Sequence, residues 1–494
     1  MKNNEDLISF LSDPKGLLIA PAGHGKTHSI AQMISLVDAD RPQLILTHTH
    51  AGIASLKKKF REQGISPSRY NLETICGFTQ RYVLNLCNSS TISNQEDKEY
   101  FDQIVELAGS LFSKPAIRRI IKQSYSHLYV DEYQDCTQTQ HNLIMLLSKD
   151  LPTHLLGDPL QGIFDFAHPI VDFEKDLSSF TCYDFLQTPW RWKNAGAETL
   201  GQLILEIRHS LLDRTTIHLQ TNKEASCFVY DVGRIQRNNL FLQRLRPFLF
   251  ELSSNSHSIL VIFPTYKDGE NFRGTIYDRC IAKPQIDTRD DFVLIEAIDD
   301  YSYYKCAKAL DDLLEEFPRS RNPYTKLRDI LNDLSFKKSD VNDWISNKRV
   351  IVKRDVTERV KSKTLSNLVC SIIESPSYSA LLKLFTMLKC DLKWRAKRVD
   401  VFSSVFLCLK SANENGTLVL DEMKKYKNQL RRMGRNIEGK CIGTTLLTKG
   451  LEFDTVVLIE ADKITSAKDF YVAISRACKE LHIFTSSATL CFNK

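Results

Sequence analysis

The stretch Ala20-Pro21-Ala22-Gly23-His24-Gly25-Lys26-Thr27 constrains this chain more than any other. It follows the apolar run Leu17-Leu18-Ile19 and precedes a helical pattern from Ser29 through Leu36. Strand, glycine-rich loop and helix together form the context that a phosphate-binding loop requires. The glycines let backbone N–H groups turn inward around a polyphosphate, and the helix N-terminus adds positive potential. Lys26 is then expected at the β and γ phosphates and the Thr27 hydroxyl on Mg²⁺. Ala20 stands where such loops usually carry their first glycine.

Other chemistry-bearing residues are expected at strand ends. Gln43-Leu44-Ile45-Leu46 reads as a strand, and it runs into Thr47-His48-Thr49-His50. Strand ends in a doubly wound sheet point at the ligand crevice. A basic amphipathic helix with Lys57-Lys58-Lys59 and Arg61 follows, and Glu73 to Phe78 is read as the opening of another helix. The strand His127 to Val130 runs into Asp131-Glu132-Tyr133-Gln134-Asp135. Two acids at a buried strand end are costly unless they serve a metal or a water. Asp131 would hold Mg²⁺ and Glu132 would polarise an attacking water, although acids there also serve as ordinary helix caps. Gln161, just past the strand Thr153 to Gly157, is placed to sense a γ-phosphate, while Phe164 and Phe166 suit either a core or base stacking.

Length and composition bound the rest. The chain's 494 residues exceed one hydrophobic core, so several domains are expected. A net charge of +6 is compatible with nucleic acid. Thirteen cysteines without a Cys-x-x-Cys pair read as reduced residues of a cytoplasmic protein. No run approaches the length of a membrane span, so no membrane association is expected.

The order phosphate loop, Thr47-His48-Thr49, Asp131-Glu132-Tyr133-Gln134-Asp135 and Gly157-Asp158-Pro159-Leu160-Gln161-Gly162-Ile163-Phe164 resembles superfamily 1 DNA helicases of the UvrD/Rep/PcrA kind. Later segments extend the likeness: Leu186 to Arg191, Lys449-Gly450-Leu451-Glu452-Phe453 and Tyr471 to Ala477. The resemblance implies an α/β fold with two RecA-like P-loop NTPase domains and helical insertions. Domain 1A would comprise residues 1–80 and 126–183, and the short insertion 1B residues 81–125. Domain 2A would comprise 184–275 and 436–494, and the helical insertion 2B residues 276–435.

The resemblance also implies roles. Arg191 would reach the γ-phosphate from across the cleft, Trp190 would stack on the nucleotide base, Glu452 would bind the nucleotide, and Arg476 would act as the arginine finger. His28 follows the loop threonine, where the family often has Arg. Thr47, His48, Thr74, Phe166 and Thr444 would grip DNA. ATP and Mg²⁺ are the implied cofactors, single-stranded or end-bearing DNA the implied partner, and 3′-to-5′ translocation the implied activity. A small-molecule phosphotransferase with the same loop would lack the second, arginine-bearing half.

Departures from the family pattern fall mostly on the DNA side. Leu446 replaces a histidine, His48 a phenylalanine, Phe166 a tryptophan, and Ala167 an arginine. No glutamine precedes Ala20 to read adenine, so GTP or dATP would also be expected to serve. That asymmetry brings in a second reading, an ATPase that senses DNA ends or single strands with little unwinding of its own. The compact size also resembles the UvrD-like helicase subunit of Gabija anti-phage defence systems. That likeness would imply an OLD-family TOPRIM nuclease as protein partner.

Overall fold

The computed structural model describes residues 2–48, 50–87, 100–163, 169–233, 239–256, 258–268, 271–287, 291–295, 300–433 and 439–492. The chain divides into two compact units. One comprises residues 1–92, 101–295 and 432–494, the other residues 93–100 and 296–431.

The first unit holds two six-stranded sheets, each entirely parallel. The first sheet is built from β1 (Lys15–Ile19), β2 (Gln43–Thr47), β3 (Tyr70–Thr74), β4 (Leu128–Val130), β5 (Thr153–Gly157) and β6 (Thr181–Tyr183), in the order β3-β2-β4-β5-β1-β6. Its inner strands β2, β4 and β5 are buried along their whole length. Burial on both faces is what short continuous apolar runs flanked by helices produce in a parallel sheet. Leu18, Ile45, Tyr129 and Leu156 pack there with Ile30, Ile34, Leu56 and Phe60 from the flanking helices. Each such side chain contributes ~1.5–3 kcal/mol by leaving water.

Strands β7 (Ile217–His218), β8 (Cys227–Asp231), β9 (Ile259–Ile262), β10 (Tyr266–Asp268), β11 (Asn271–Arg273), β12 (Val293–Leu294), β13 (Lys440–Gly443), β14 (Phe453–Leu458), β15 (Ala477–Thr485) and β16 (Thr489–Leu490) follow. Six of them form the second sheet, ordered β12-β13-β9-β14-β15-β8, while β10 pairs with β11 and β7 with β16 in antiparallel ribbons. The α/β class with two parallel sheets is therefore present.

Several local readings need correction. Glu73 and Thr74 end the strand β3 rather than open a helix. Thr74 then caps the helix Ile75–Leu86, its Oγ1 accepting from Gly77 N at 3.0 Å. Separately, β15 is an inner strand of the second sheet, because β8 pairs beyond it. Residues 276–295 supply the helix Ile276–Ile286 and the strand β12 to the sheet unit.

The other unit is helical. Its helices include Asp300–Glu316, Pro323–Asp333, Val356–Glu374, Tyr378–Cys390 and Val399–Asn415. Leu310, Leu331, Leu365, Leu384, Leu388 and Leu409 lie in its own core. Among the described residues no helix is long and apolar enough to cross a membrane, and the cysteines there are free thiols.

The first sheet makes the fold acid-sensitive. His154 on β5 is buried against Phe10 and Tyr129, and its Nε2 donates to Phe10 O (3.1 Å) and Asp13 O (3.0 Å). Burial, then the neighbouring His127, push its pKa from 6.5 down to about 4. The unfolded chain therefore takes up this proton first as pH falls. Stability is full above pH 6.5 and is lost progressively toward pH 4, by roughly 3 kcal/mol at ~1.4 kcal/mol per pH unit. His154→Gln keeps a donor without the titration. Its urea midpoint is expected to fall less between pH 6.5 and 4.5 than that of the unaltered chain; parallel falls would contradict this account.

Candidate active site

The phosphate loop leaves β1 at Ile19 and enters the helix Lys26–Leu36. Gly23 and Gly25 have φ of 71° and 93°, a region open to glycine at no steric cost. Gly23 is also needed for space. A Cβ there would stand 2.9 Å from both the Arg191 Cβ and the Trp192 ring. Arg191 N donates to Gly23 O at 3.0 Å, and Ala22 N donates to the Tyr471 hydroxyl at 2.9 Å. Trp192 Nε1 in turn donates to Ala477 O on β15 at 2.8 Å. The helices Trp190–Ala195 and Ala467–Ile474, packed on the second sheet, thus clasp the loop. Gly25 caps the helix without a side chain, which leaves the first amides for an anion.

Lys26 is buried, and its Nζ donates to Ala20 O (2.7 Å) and Pro21 O (3.1 Å). Burial lowers its pKa, while Glu132, Asp158 and Asp131 act against that. Strand β4 delivers the acids. Asp131 Oδ2 lies 3.4 Å from Thr27 Oγ1, and Asp131 Oδ1 accepts from Glu132 N at 3.0 Å. Burial, then the Glu132 charge, push Asp131 up to about 7. Burial opposes ionisation of Glu132 as well, but Lys26 and Lys449, with Gln134 and Arg476, outweigh it and hold that carboxyl below its ordinary range. A hydroxyl beside one carboxylate fits Mg²⁺, which takes few protein oxygens and fills the rest of its octahedron with water and phosphate. Thr27 and Asp131 would hold it, and it would supply charge neutralisation at the phosphates.

The other wall comes from the second sheet and its helices. Arg191 pairs with Glu452 at 2.7 Å and donates to Ser475 O. Arg476 is buried; it donates to Val472 O (3.0 Å), Leu451 O (3.1 Å) and Gln161 Oε1 (3.5 Å). Burial, then Arg191, push its pKa down to about 10, so it stays cationic at neutral pH. Lys449 forms a buried ion pair with Asp135 at 2.5 Å.

These residues surround one cavity of about 470 Å³. Of the residues singled out from sequence, Ala22, Gly23, His24, Gly25, Lys26, Thr27, His28, Asp131, Glu132, Gln161, Trp190, Arg191, Glu452 and Arg476 line it. Ala20 and Pro21 lie behind the loop and offer carbonyls to Lys26. His24 turns Nδ1 to Ala22 O at 2.8 Å, and burial takes its pKa down to about 4.

The residues expected at DNA lie elsewhere. Thr47 and Thr74 face each other in register at the ends of β2 and β3, both buried. His48 Nε2 contacts Cys136 Sγ at 3.3 Å, and burial with the Lys449 charge takes its pKa down to about 3. Thr444 lines a second cavity, of about 300 Å³, with Ile163, Pro264, Leu446 and Asp469. Phe166 lies outside the described residues.

Sequence reasoning missed Arg208. It is buried and pairs with Asp158 at 3.0 Å, and Gln161 Nε2 also donates to Asp158, at 3.1 Å. The available signal was a cation beside the apolar face of Leu200, Ile204, Ile207 and Leu211 on the helix Glu198–Leu212.

Comparison with known proteins matches residues 90–173 to the UvrD/REP helicase N-terminal domain and residues 358–485 to the viral superfamily 1 RNA helicase core domain. The first segment carries Asp131, Glu132 and Gln161, the second Glu452 and Arg476. The exonuclease/helicase subunit RexA of Lactococcus lactis subsp. cremoris is 25% identical over 134 residues, 27% of this chain and 10% of that protein. An ATP-dependent helicase/nuclease subunit of Syntrophomonas wolfei subsp. wolfei is 32% identical over 80 residues, 16% of this chain and 6% of that protein. The ATP-dependent DNA helicase PcrA of Leuconostoc citreum is 31% identical over 112 residues, 21% of this chain and 14% of that protein. The chain thus spans 6% to 14% of the length of these three relatives. The two family matches and these relatives, beside two parallel α/β sheets, support a superfamily 1 helicase.

Proposed function

We propose that the chain is an ATP-dependent DNA helicase or translocase of the UvrD/PcrA type, moving 3′ to 5′. The observation that carries the reading is one cavity lined by Lys26, Thr27, Asp131 and Glu132 from the first sheet's loops and by Arg191 and Arg476 beside the second. Phosphoryl transfer to water is driven mostly by placed charge. Lys26 neutralises the departing phosphates. Glu132, held ionised by its cationic neighbours, takes the proton of the attacking water. Arg191 and Arg476 complete the charge balance when the cleft closes, and a finger of this kind contributes ~10³-fold or more to rate. Closure and opening then shift the Thr47–Thr74 strand ends relative to Thr444, which would grip single-stranded DNA.

The test sets DNA-stimulated ATP hydrolysis beside displacement of a strand from a tailed duplex. Stimulation by single-stranded DNA with displacement from a 3′ tail is expected. Hydrolysis indifferent to DNA would overturn the reading. Stimulation without displacement would favour a second one, an ATPase sensing DNA ends that activates a nuclease. Leu446 in a DNA-side position and the neutral, Cys136-bound His48 favour that alternative. In either case we infer a role in bacterial anti-phage defence beside an OLD-family TOPRIM nuclease, on the small helical insertion (Ile75–Leu86, Tyr100–Phe112 and Pro115–Ser124 among the described residues) between β3 and β4. Co-purification with such a nuclease tests it.

A further inference from the structure

None of residues 1–19 is a glutamine, yet the cleft is not without a group able to read a base. The helix Lys26–Leu36 continues from the phosphate end along one wall. His28 and Gln32 are four residues apart on it, hence on one face, and both line the cavity. His28 is committed, its Nδ1 lying 2.9 Å from Gln63 Nε2. Gln32 is half-buried, and among the described residues its amide has no hydrogen-bond partner. That amide is not sealed from solvent, so on the cavity wall it can exchange water for a ligand's donor and acceptor. Trp190, 39% exposed, also lines the cavity, and its indole Cδ1 lies 3.3 Å from where a Cβ on Gly25 would be. A base stacked on that ring, with its phosphates on Lys26, would share this cavity with Gln32.

We propose that Gln32 is the base-reading residue and that it selects adenine. The inference rests on the nucleotide site proposed above. The amide oxygen accepts from adenine N6–H while the amide N–H donates to N7, the two-point pairing that glutamine makes with this edge. Guanine presents two acceptors, O6 and N7, on the same edge, so the amide oxygen would face O6 with no proton between them. Adenine is therefore preferred, and the preference depends on this one side chain.

Calorimetric titration of the full chain with ADP and with GDP tests this. The unaltered chain is expected to bind ADP about tenfold or more tighter than GDP. Gln32→Met, which keeps the shape without the amide, and Gln32→Ala should each weaken ADP about tenfold. Both should leave GDP within about twofold, so the ratio approaches one. A ratio unchanged in both variants overturns the assignment, as does loss of the ratio in Asn194→Ala, whose exposed amide lines the same cavity. Lys26→Ala separates the two layers. Binding that needs Lys26 but keeps its ratio without Gln32 removes only the base assignment, whereas no binding of either nucleotide by the unaltered chain removes both.

Discussion

Lys26→Ala is expected to cut nucleotide turnover by ~10³-fold or more, to the background of the assay. The size follows from the position. Lys26 is the loop's buried cation, and its charge is felt by Glu132, Asp158 and Asp131. Those three carboxyls are themselves buried or half-buried. Deleting the ammonium removes the cation proposed to meet the phosphates, which here rests on Ala20 O and Pro21 O, and leaves the acids to repel an incoming triphosphate. Binding should weaken along with catalysis. Steady-state hydrolysis and equilibrium binding of a fluorescent nucleotide measure both, with a thermal melt to show that the variant is folded. Turnover retained within about tenfold would remove the phosphate-loop assignment.

Glu132→Gln is expected to separate the two effects. Glutamine fills the same volume and still takes a hydrogen bond from Gln134, as the native carboxylate does. What it cannot do is accept a proton. A positioned general base contributes ~10²–10⁴-fold, so turnover should fall by about that factor. Nucleotide binding should hold or tighten slightly. Glu132 is one of the charges that raise Asp131, and removing it lets Asp131 ionise more readily beside Thr27. Single-turnover hydrolysis beside equilibrium binding reads this directly. Equal losses in both would mean that Glu132 is a binding residue and not the base.

The part of this arrangement legible in the sequence was the part where one residue type has one use. The loop glycines, Lys26 and the acids after β4 are constrained by local geometry, and the strands between them are apolar runs buried on both faces. Edge strands carry no such signal. β3, Tyr-Asn-Leu-Glu-Thr, is only half-buried over four of its five residues, so it has no apolar run to read. β8 sits at the other sheet's edge with three half-buried residues and one exposed. Long-range pairings were illegible for a different reason. Arg208 meets Asp158 fifty positions away, and Tyr471 meets Ala22 across 449. Neither partner's spacing carries any periodicity. Expected roles for Thr74 and His48 also competed with local demands, since Thr74 serves its own helix and His48 is bonded to Cys136.

The most direct test of the central claim is a crystal structure of the chain with Mg²⁺, ADP and aluminium fluoride. The account predicts the nucleotide on Lys26, with the guanidinium groups of Arg191 and Arg476 both turned to the fluoride at about 2.7–3.2 Å. A bound nucleotide with Arg191 still on Glu452 and Arg476 still on Leu451 O, neither touching it, would contradict the account.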